Sequence, residues 1–377
     1  MSDVAILIPV AILLISRLLP FIRFGEFPLG VDAGIYLKDF QPLPPALVFS
    51  LYILTNLFLT LMIYLTAKEF FGKEAAFFSL LIFSLSAAQF LFYWTFFWKM
   101  TLAAAITLGV FLFLKKRNWA AAPLAAAVGI IHAPTLLPLL IALLPFFLGP
   151  AVIALVASVL ARPDDFLSFL FYGEQYLRGG YSTDLAKLLV GHFVGFDFYG
   201  NFLAIGYLPF GLLGMVRLLN NKSTRPLLLY FLINMALVQI GFLFQNRFLI
   251  LLDLTLIIFS GAVLKDFVYW FWQNKAGQTT VLAALVLAAA ALFYQVWLTE
   301  PAITQAELQV IKSFRRLQPD LPIVTDGLYY PILAAYSGHQ VITWDNWNEK
   351  EGAFCYLGRR SPEKLSPDIS CQRLPNN

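Results

Sequence analysis

The chain has 377 residues, of which 60% are hydrophobic, 16% aromatic and 13% charged, where an ordinary soluble domain is about 25% charged. A water-soluble globule cannot hide that much apolar surface, so soluble, disordered and fibrous classes are excluded and a polytopic membrane protein remains. The net charge of +4 is small, and no basic tract interleaved with aromatics points to nucleic acid.

The N-terminus, MSDVAILIPVAILLISRLLPFIR, has no basic leader region and no small-residue cleavage site, so it reads as a retained first span. Apolar runs follow at 45–66, 75–95, 100–114, 118–132, 134–148, 150–161, 199–216, 226–243, 248–264 and 279–298. With the first, at 4–22, they make about 11 candidate transmembrane helices. Residues 119–161 are ambiguous between two long spans and three short, tilted ones. Pro134, Pro138, Pro145 and Gly149-Pro150 favour breaks near 133 and 149.

Three spans there put the loops 67–74, 115–118, 217–225 and 265–278 on one side, with ten Lys/Arg among them; eight more are dispersed on the other side. The Lys115-Lys116-Arg117 cluster marks the first side as cytoplasmic. The expected orientation in a cytoplasmic (inner) membrane is therefore N-terminus in and C-terminal region out. Two outer segments, 23–44 and 162–198, are too long to be mere connections. The second carries short apolar stretches, FLSFLF and LAKLLVGHF, that suit helices lying in the interface.

Residues 299–377 hold 9 acids and 8 bases and read as water-facing. ITQAELQVIKSFRRLQP suits an amphipathic helix, LPIVTD a strand, GLYYPILAAYSG a helix closed by Gly338, and QVITWD a second strand. The expected architecture is an all-α polytopic membrane domain over 1–298 and a small α/β extracytoplasmic domain over 299–377. Cys355 and Cys371 are the only cysteines; their pattern is not that of a zinc site, and they could form one disulfide in an oxidising space.

Unusual polar residues gather at the outer side in this topology. Asp32 and Asp39 lie in the first outer loop, Lys99 in FFWKM, His132 in IIHAPT, and Gln245, Asn246 and Arg247 in the turn FQNRF. Asp253 follows, about 9 Å deeper along a helix. An ionisable group inside a membrane is a functional candidate by default. Each also has a duller reading. Lys99 and Arg247 could snorkel to the interface, and His132 could cap a turn. Asp253 could bond a neighbouring span, Asp39 could end a short helix, and Asp32 could be a turn aspartate.

FPLGVDAGIY after the first span resembles the first outer loop of the GT-C superfamily of membrane glycosyltransferases. FFWKMTLA, IIHAPTLLPLL, QNRFLILLDLTLIIFSG and the tail LPIVTDGLYYPILAAYSGHQVITWD resemble further features of prokaryotic members. The resemblance covers most of the chain in organisation through short motifs. It implies an inverting transfer of sugar from a polyprenyl-phosphate-linked donor to a glycan, lipid or protein acceptor at the outer leaflet.

Carried over, Asp32 would be the general base, with Asp39, Asp164 or Asp165 as a second carboxylate. Lys99, Arg247 and His132 would hold the donor phosphate, and Tyr36 and Gln245 would be further substrate contacts. An aromatic-lined apolar groove would hold the polyprenyl chain. A divalent cation, Mg or Mn, is the cofactor this would admit. Asp32 nevertheless lacks the adjacent acid that many members carry, and a cation usually wants two or more close carboxylates. Two other readings stay open: a lipid-linked saccharide flippase or transporter, and a non-catalytic scaffold with the same fold.

Overall fold

Lipid offers a peptide group no hydrogen-bond partner, so apolar runs must satisfy their backbones as helices. A computed structural model of the chain describes residues 3–24, 33, 36–37, 40, 43–116, 118–163, 202–219, 221–239, 245–299, 301, 305–314, 322–325, 330–337, 339–343, 354–356 and 372–373. Asp32, Asp39, Asp164, Asp165 and Cys371 lie outside these residues, as do nearly all of 164–201 and most of the first outer loop.

A short 3-10 turn leads into α1 (Leu7–Phe24), and α2 (Pro45–Phe71) opens on a proline, which suits a first helical turn. Gly72, at φ 90, takes the left-handed conformation that lets α2 stop and α3 (Lys73–Leu85) begin one residue later. The run expected as one span over 75–95 is broken. Helices α3 and α4 (Ala87–Trp94) are bent by 57° at Ser86. Ser86 makes the break tenable because its Oγ accepts the Gln89 amide (3.2 Å), which caps the first turn of α4.

Helix α5 (Trp98–Lys115) follows a tight turn. Residues 119–161 then form three helices: α6 (Ala121–Ile131), α7 (Ala133–Leu143) and α8 (Leu148–Ala161). The breaks fall at His132 and at 144–147, where Pro134 and Pro145 interrupt the helical hydrogen bonding. The remaining membrane-type helices are α9 (Phe202–Leu218), α10 (Arg225–Gln239), α11 (Gln245–Phe271) and α12 (Lys275–Leu298). Gln245, Asn246 and Arg247, expected in a turn, form the first turn of α11 instead.

Among the described residues, five helices are long and apolar enough to cross a membrane, or six if bent α3–α4 counts as one span. The other apolar helices are shorter. An 11-residue helix such as α6 is about 16 Å long, roughly half a hydrocarbon core.

The chain divides into two compact units. The first comprises Met1–Arg17, Ile53–Phe92 and Trp98–Trp297. Helix α11 is its centre, with 83% of its apolar window buried, and glycines permit the close crossings. A Cβ at Gly261 would stand 2.6 Å from the Ala75 carbonyl oxygen, and one at Gly214 would collide with the Phe259 carbonyl. Lys115 and Lys222 line one cavity together with Phe70 and Phe147, so the connections beside them lie at one end of this unit.

The second unit comprises Leu18–Tyr52, Tyr93–Phe97 and Leu298–Asn377. It contains α13 (Gln305–Ser313), α14 (Tyr330–Tyr336) and four short strands: β1 (Ile323–Thr325), β2 (Val341–Thr343), β3 (Phe354–Tyr356) and β4 (Gln372–Arg373). The strands form one parallel sheet in the order β2-β1-β3-β4, with Ile323 opposite both Val341 and Phe354. All of β1 is buried, as expected for a central parallel strand. His339 Nε2 lies 2.6 Å from the Phe314 carbonyl oxygen and ties the turn before β2 to the end of α13. Strands β3 and β4 are absent from the sequence-based expectation, which stopped at the β1–α14–β2 unit.

Candidate functional site

The bend at Ser86 carries a buried polar network. Asp253, on α11, is 1% exposed. Its Oδ2 accepts from Gln89 Nε2 on α4 (2.5 Å), and its Oδ1 accepts from the Tyr207 hydroxyl on α9 (2.5 Å). The Tyr207 and Ser86 hydroxyls are 3.3 Å apart. Ser260 Oγ donates to the Tyr207 carbonyl (2.9 Å) and fixes the backbone beneath it. A carboxylate stripped of water requires such donors on both oxygens. The arrangement locks three helices together at the bend, which is the structural reading of Asp253. Gln89 and Tyr207 are not legible in the sequence, because a neutral amide and a phenol inside apolar runs carry no signal until their partner is known.

Tyr207 and Ser86 also stand at one end of an apolar groove of about 630 Å³ between α3, α9, α11 and α12. Phe78, Phe210, Phe267 and Phe271 line it, with small residues such as Ala284 and Ala288 on the α12 side. Helix α12 has only 11% of its apolar window buried, so this wall is itself an exposed apolar helix. The groove follows α3 from Phe78 to Ser86, about 12 Å at 1.5 Å per residue. Its chemistry suits a hydrocarbon chain with a polar group near Tyr207.

A second feature missed from sequence is Arg17. It is 1% exposed within the first apolar run, with NH1 donating to Ser16 Oγ (3.3 Å) and Cζ 5.3 Å from the Phe90 ring centre. A cation inside the opening span was the available signal.

In the second unit the turn 93–97 is built on aromatic rings. Phe96 adopts φ 66, a left-handed conformation that a bulky residue rarely takes. Its ring is held 4.1 Å from that of Tyr52, 5.5 Å from Phe49 and 5.8 Å from Tyr36. Tyr52 stacks on Tyr93 at 5.0 Å and donates its hydroxyl to the Tyr93 carbonyl (3.0 Å). Tyr36 is 8% exposed and Ala33, next to Asp32 in sequence, is fully buried.

The expected site residues fall as follows. Lys99 is the second residue of α5 and half-buried. His132 ends α6 and precedes α7, with Nδ1 2.7 Å from Thr135 Oγ1, so its ring is fixed across the break. Gln245 and Arg247 have described backbones at the start of α11, six to eight residues before Asp253. Lys99, His132, Gln245 and Arg247 belong to the first unit and Tyr36 to the second. Among the described residues, no three His, Cys, Asp or Glu side chains cluster as metal ligands.

No protein-family profile matches the chain, and no curated protein matches it. Solved structures do. The chain is similar to the apo oligosaccharyltransferase of Archaeoglobus fulgidus, with a TM-score of 0.54 and 14% identity over 89% of this chain and 64% of that one. It is also similar to apo ArnT of Cupriavidus metallidurans, with a TM-score of 0.51 and 12% identity over 83% of this chain and 74% of that one. Both are GT-C membrane glycosyltransferases. The chain has the GT-C fold. It spans 64% of the length of the archaeal oligosaccharyltransferase. The GT-C likeness extends over most of the chain, well beyond the short motifs that suggested it.

Proposed function

We propose that this protein is a membrane glycosyltransferase that takes its sugar from a polyprenyl-phosphate-linked donor. The observation that carries the proposal is the GT-C fold across 89% of the chain. The apolar groove beside Tyr207 supports the donor class, because a polyprenyl chain requires a long hydrocarbon-lined site. The membrane domain is taken as 1–298 and the water-facing domain as 299–377, with the reaction on the outer face of the cytoplasmic membrane.

In this reading Asp32 accepts the proton of the acceptor hydroxyl as its oxygen attacks the anomeric carbon. The bond between that carbon and the phosphate oxygen breaks, the configuration inverts, and polyprenyl phosphate leaves. Lys99 and Arg247 stabilise the charge that develops on the departing phosphate, with His132 beside them. Tyr36 and Gln245 contact the substrates, and Asp39, Asp164 or Asp165 supplies a second carboxylate. A divalent cation, if bound, would be held by these carboxylates and would neutralise phosphate charge.

The test is reconstitution in liposomes with polyprenyl-phosphate sugars and an envelope extract as acceptor. Transfer is read as free polyprenyl phosphate appearing together with glycosylated acceptor. Movement of intact donor across the bilayer without cleavage would favour a flippase, and neither outcome would favour a scaffold.

A further inference from the structure

The end of the first unit that carries Lys115 and Lys222 holds a cleft unrelated to the groove at Tyr207. Its volume is about 320 Å³, and Lys115, Lys222 and Ser223 line it beside Phe70, Phe146 and Phe147. A second cleft of about 360 Å³ shares Phe147 and Leu114 with it and continues over Trp119, Gly149 and Pro150. Trp119, which lines the second cleft, is 71% exposed, so the apolar side of this pair of clefts is open at the surface.

The charge balance is positive. Lys115 Nζ donates to the Glu69 carbonyl and lies 3.6 Å from its carboxylate, which offsets one cation. Asp266 is engaged by Arg217 at 2.5 Å. Among the described residues no acidic side chain pairs with Lys222, and Lys116 and Arg225 are exposed nearby in sequence. Pro226, in the first turn of α10, also lines the cleft; the helix entry beside it is already capped, Asn221 Oδ1 accepting from the Ser223 amide (3.0 Å) and hydroxyl (2.8 Å). Two lysines recognise a phosphodiester by charge. Phenylalanines and a tryptophan beside them recognise the hydrocarbon attached to it, which a free phosphate does not carry.

We propose that this cleft binds an anionic phospholipid, with its headgroup phosphate at Lys115 and Lys222 and its acyl chains across Phe147 and Trp119. The site lies where basic pockets between membrane helices meet charged headgroups. It does not depend on the glycosyltransferase reading.

The full chain in nanodiscs of equal phosphatidylglycerol and phosphatidylcholine, examined by native mass spectrometry, tests the proposal. The wild-type protein should retain phosphatidylglycerol preferentially. Lys222→Gln should lower that preference about fivefold, equivalent to about 1 kcal/mol per lysine near an anionic surface. Lys222→Glu should abolish it, and Lys275→Gln should leave it intact. Excess inorganic phosphate should not displace the lipid. Equal retention of both lipids, an unchanged preference in Lys222→Gln, or displacement by phosphate would overturn the proposal, the last by showing a free-anion site.

Discussion

Gln89 and Asp253 are 164 positions apart in sequence, yet the Gln89 amide donates to the Asp253 carboxylate at 2.5 Å across α4 and α11. Tyr207 donates to the other oxygen. Replacing Asp253 with Ala therefore strands two buried donors at once. The expected loss is about 3 kcal/mol of stability, at roughly 1–3 kcal/mol for each stranded group. Asp253→Asn keeps the shape and one acceptor and should lose less. Thermal unfolding in detergent would order the three proteins as wild type, Asn, Ala; an Ala variant as stable as wild type would refute the lock.

Gly261 governs the approach of α3 to α11. A Cβ there would press on the Ser79 side chain and stand 2.6 Å from both the Ala75 carbonyl oxygen and the Ser79 amide nitrogen. Gly261→Ala should sharply reduce the yield of monodisperse protein. The double variant with Ser79→Ala should not recover it, because the backbone clash remains. Full recovery would place the conflict in the Ser79 hydroxyl alone.

The groove makes a prediction about chain length. Ala288→Phe would fill part of the space between α12 and Phe267. For a long polyprenyl donor KM should rise about tenfold, the equivalent of about 1.4 kcal/mol of lost apolar contact, with kcat nearly unchanged. A short-chain donor analogue should be used as well as by wild type. An equal effect on both donors would separate the groove from the lipid chain.

Lys99→Ala and Arg247→Ala test the phosphate contacts. Loss of a charged donor to a bound phosphate should weaken donor binding about tenfold or more and leave acceptor KM within about twofold. Unchanged donor affinity in both variants would remove them from the donor site.

Much of the helical framework was legible because apolar runs and prolines act locally. His132 precedes Ala133-Pro134, and the chain breaks there. The second break, expected near 149, falls at 144–147 around Pro145, and Gly149-Pro150 sit in the first turn of α8, where a proline is tolerated. The break at Ser86 was not legible: Leu85-Ser86-Ala87 contains neither Pro nor Gly, and besides the local Gln89 amide its stabilisation draws on Tyr207 from another helix. Asp253 stood out as a charge in an apolar run, but its donors did not, since pairing between spans is a property of packing. Arg17 carries the same signal, a charge in an apolar run, and is likewise buried. Strands β3 and β4 are three and two residues long, too short for an alternating pattern to register.

Asp32 carries the central claim, and turnover of a labelled polyprenyl-phosphate sugar by wild type and Asp32→Asn tests it most directly. The account predicts transfer to acceptor by wild type and a loss of at least about a hundredfold in the Asn variant, with expression and donor binding preserved. Wild-type turnover in an equally active Asp32→Asn variant would contradict the assigned base, and absence of donor cleavage by the wild-type protein with every acceptor offered would contradict the enzyme itself.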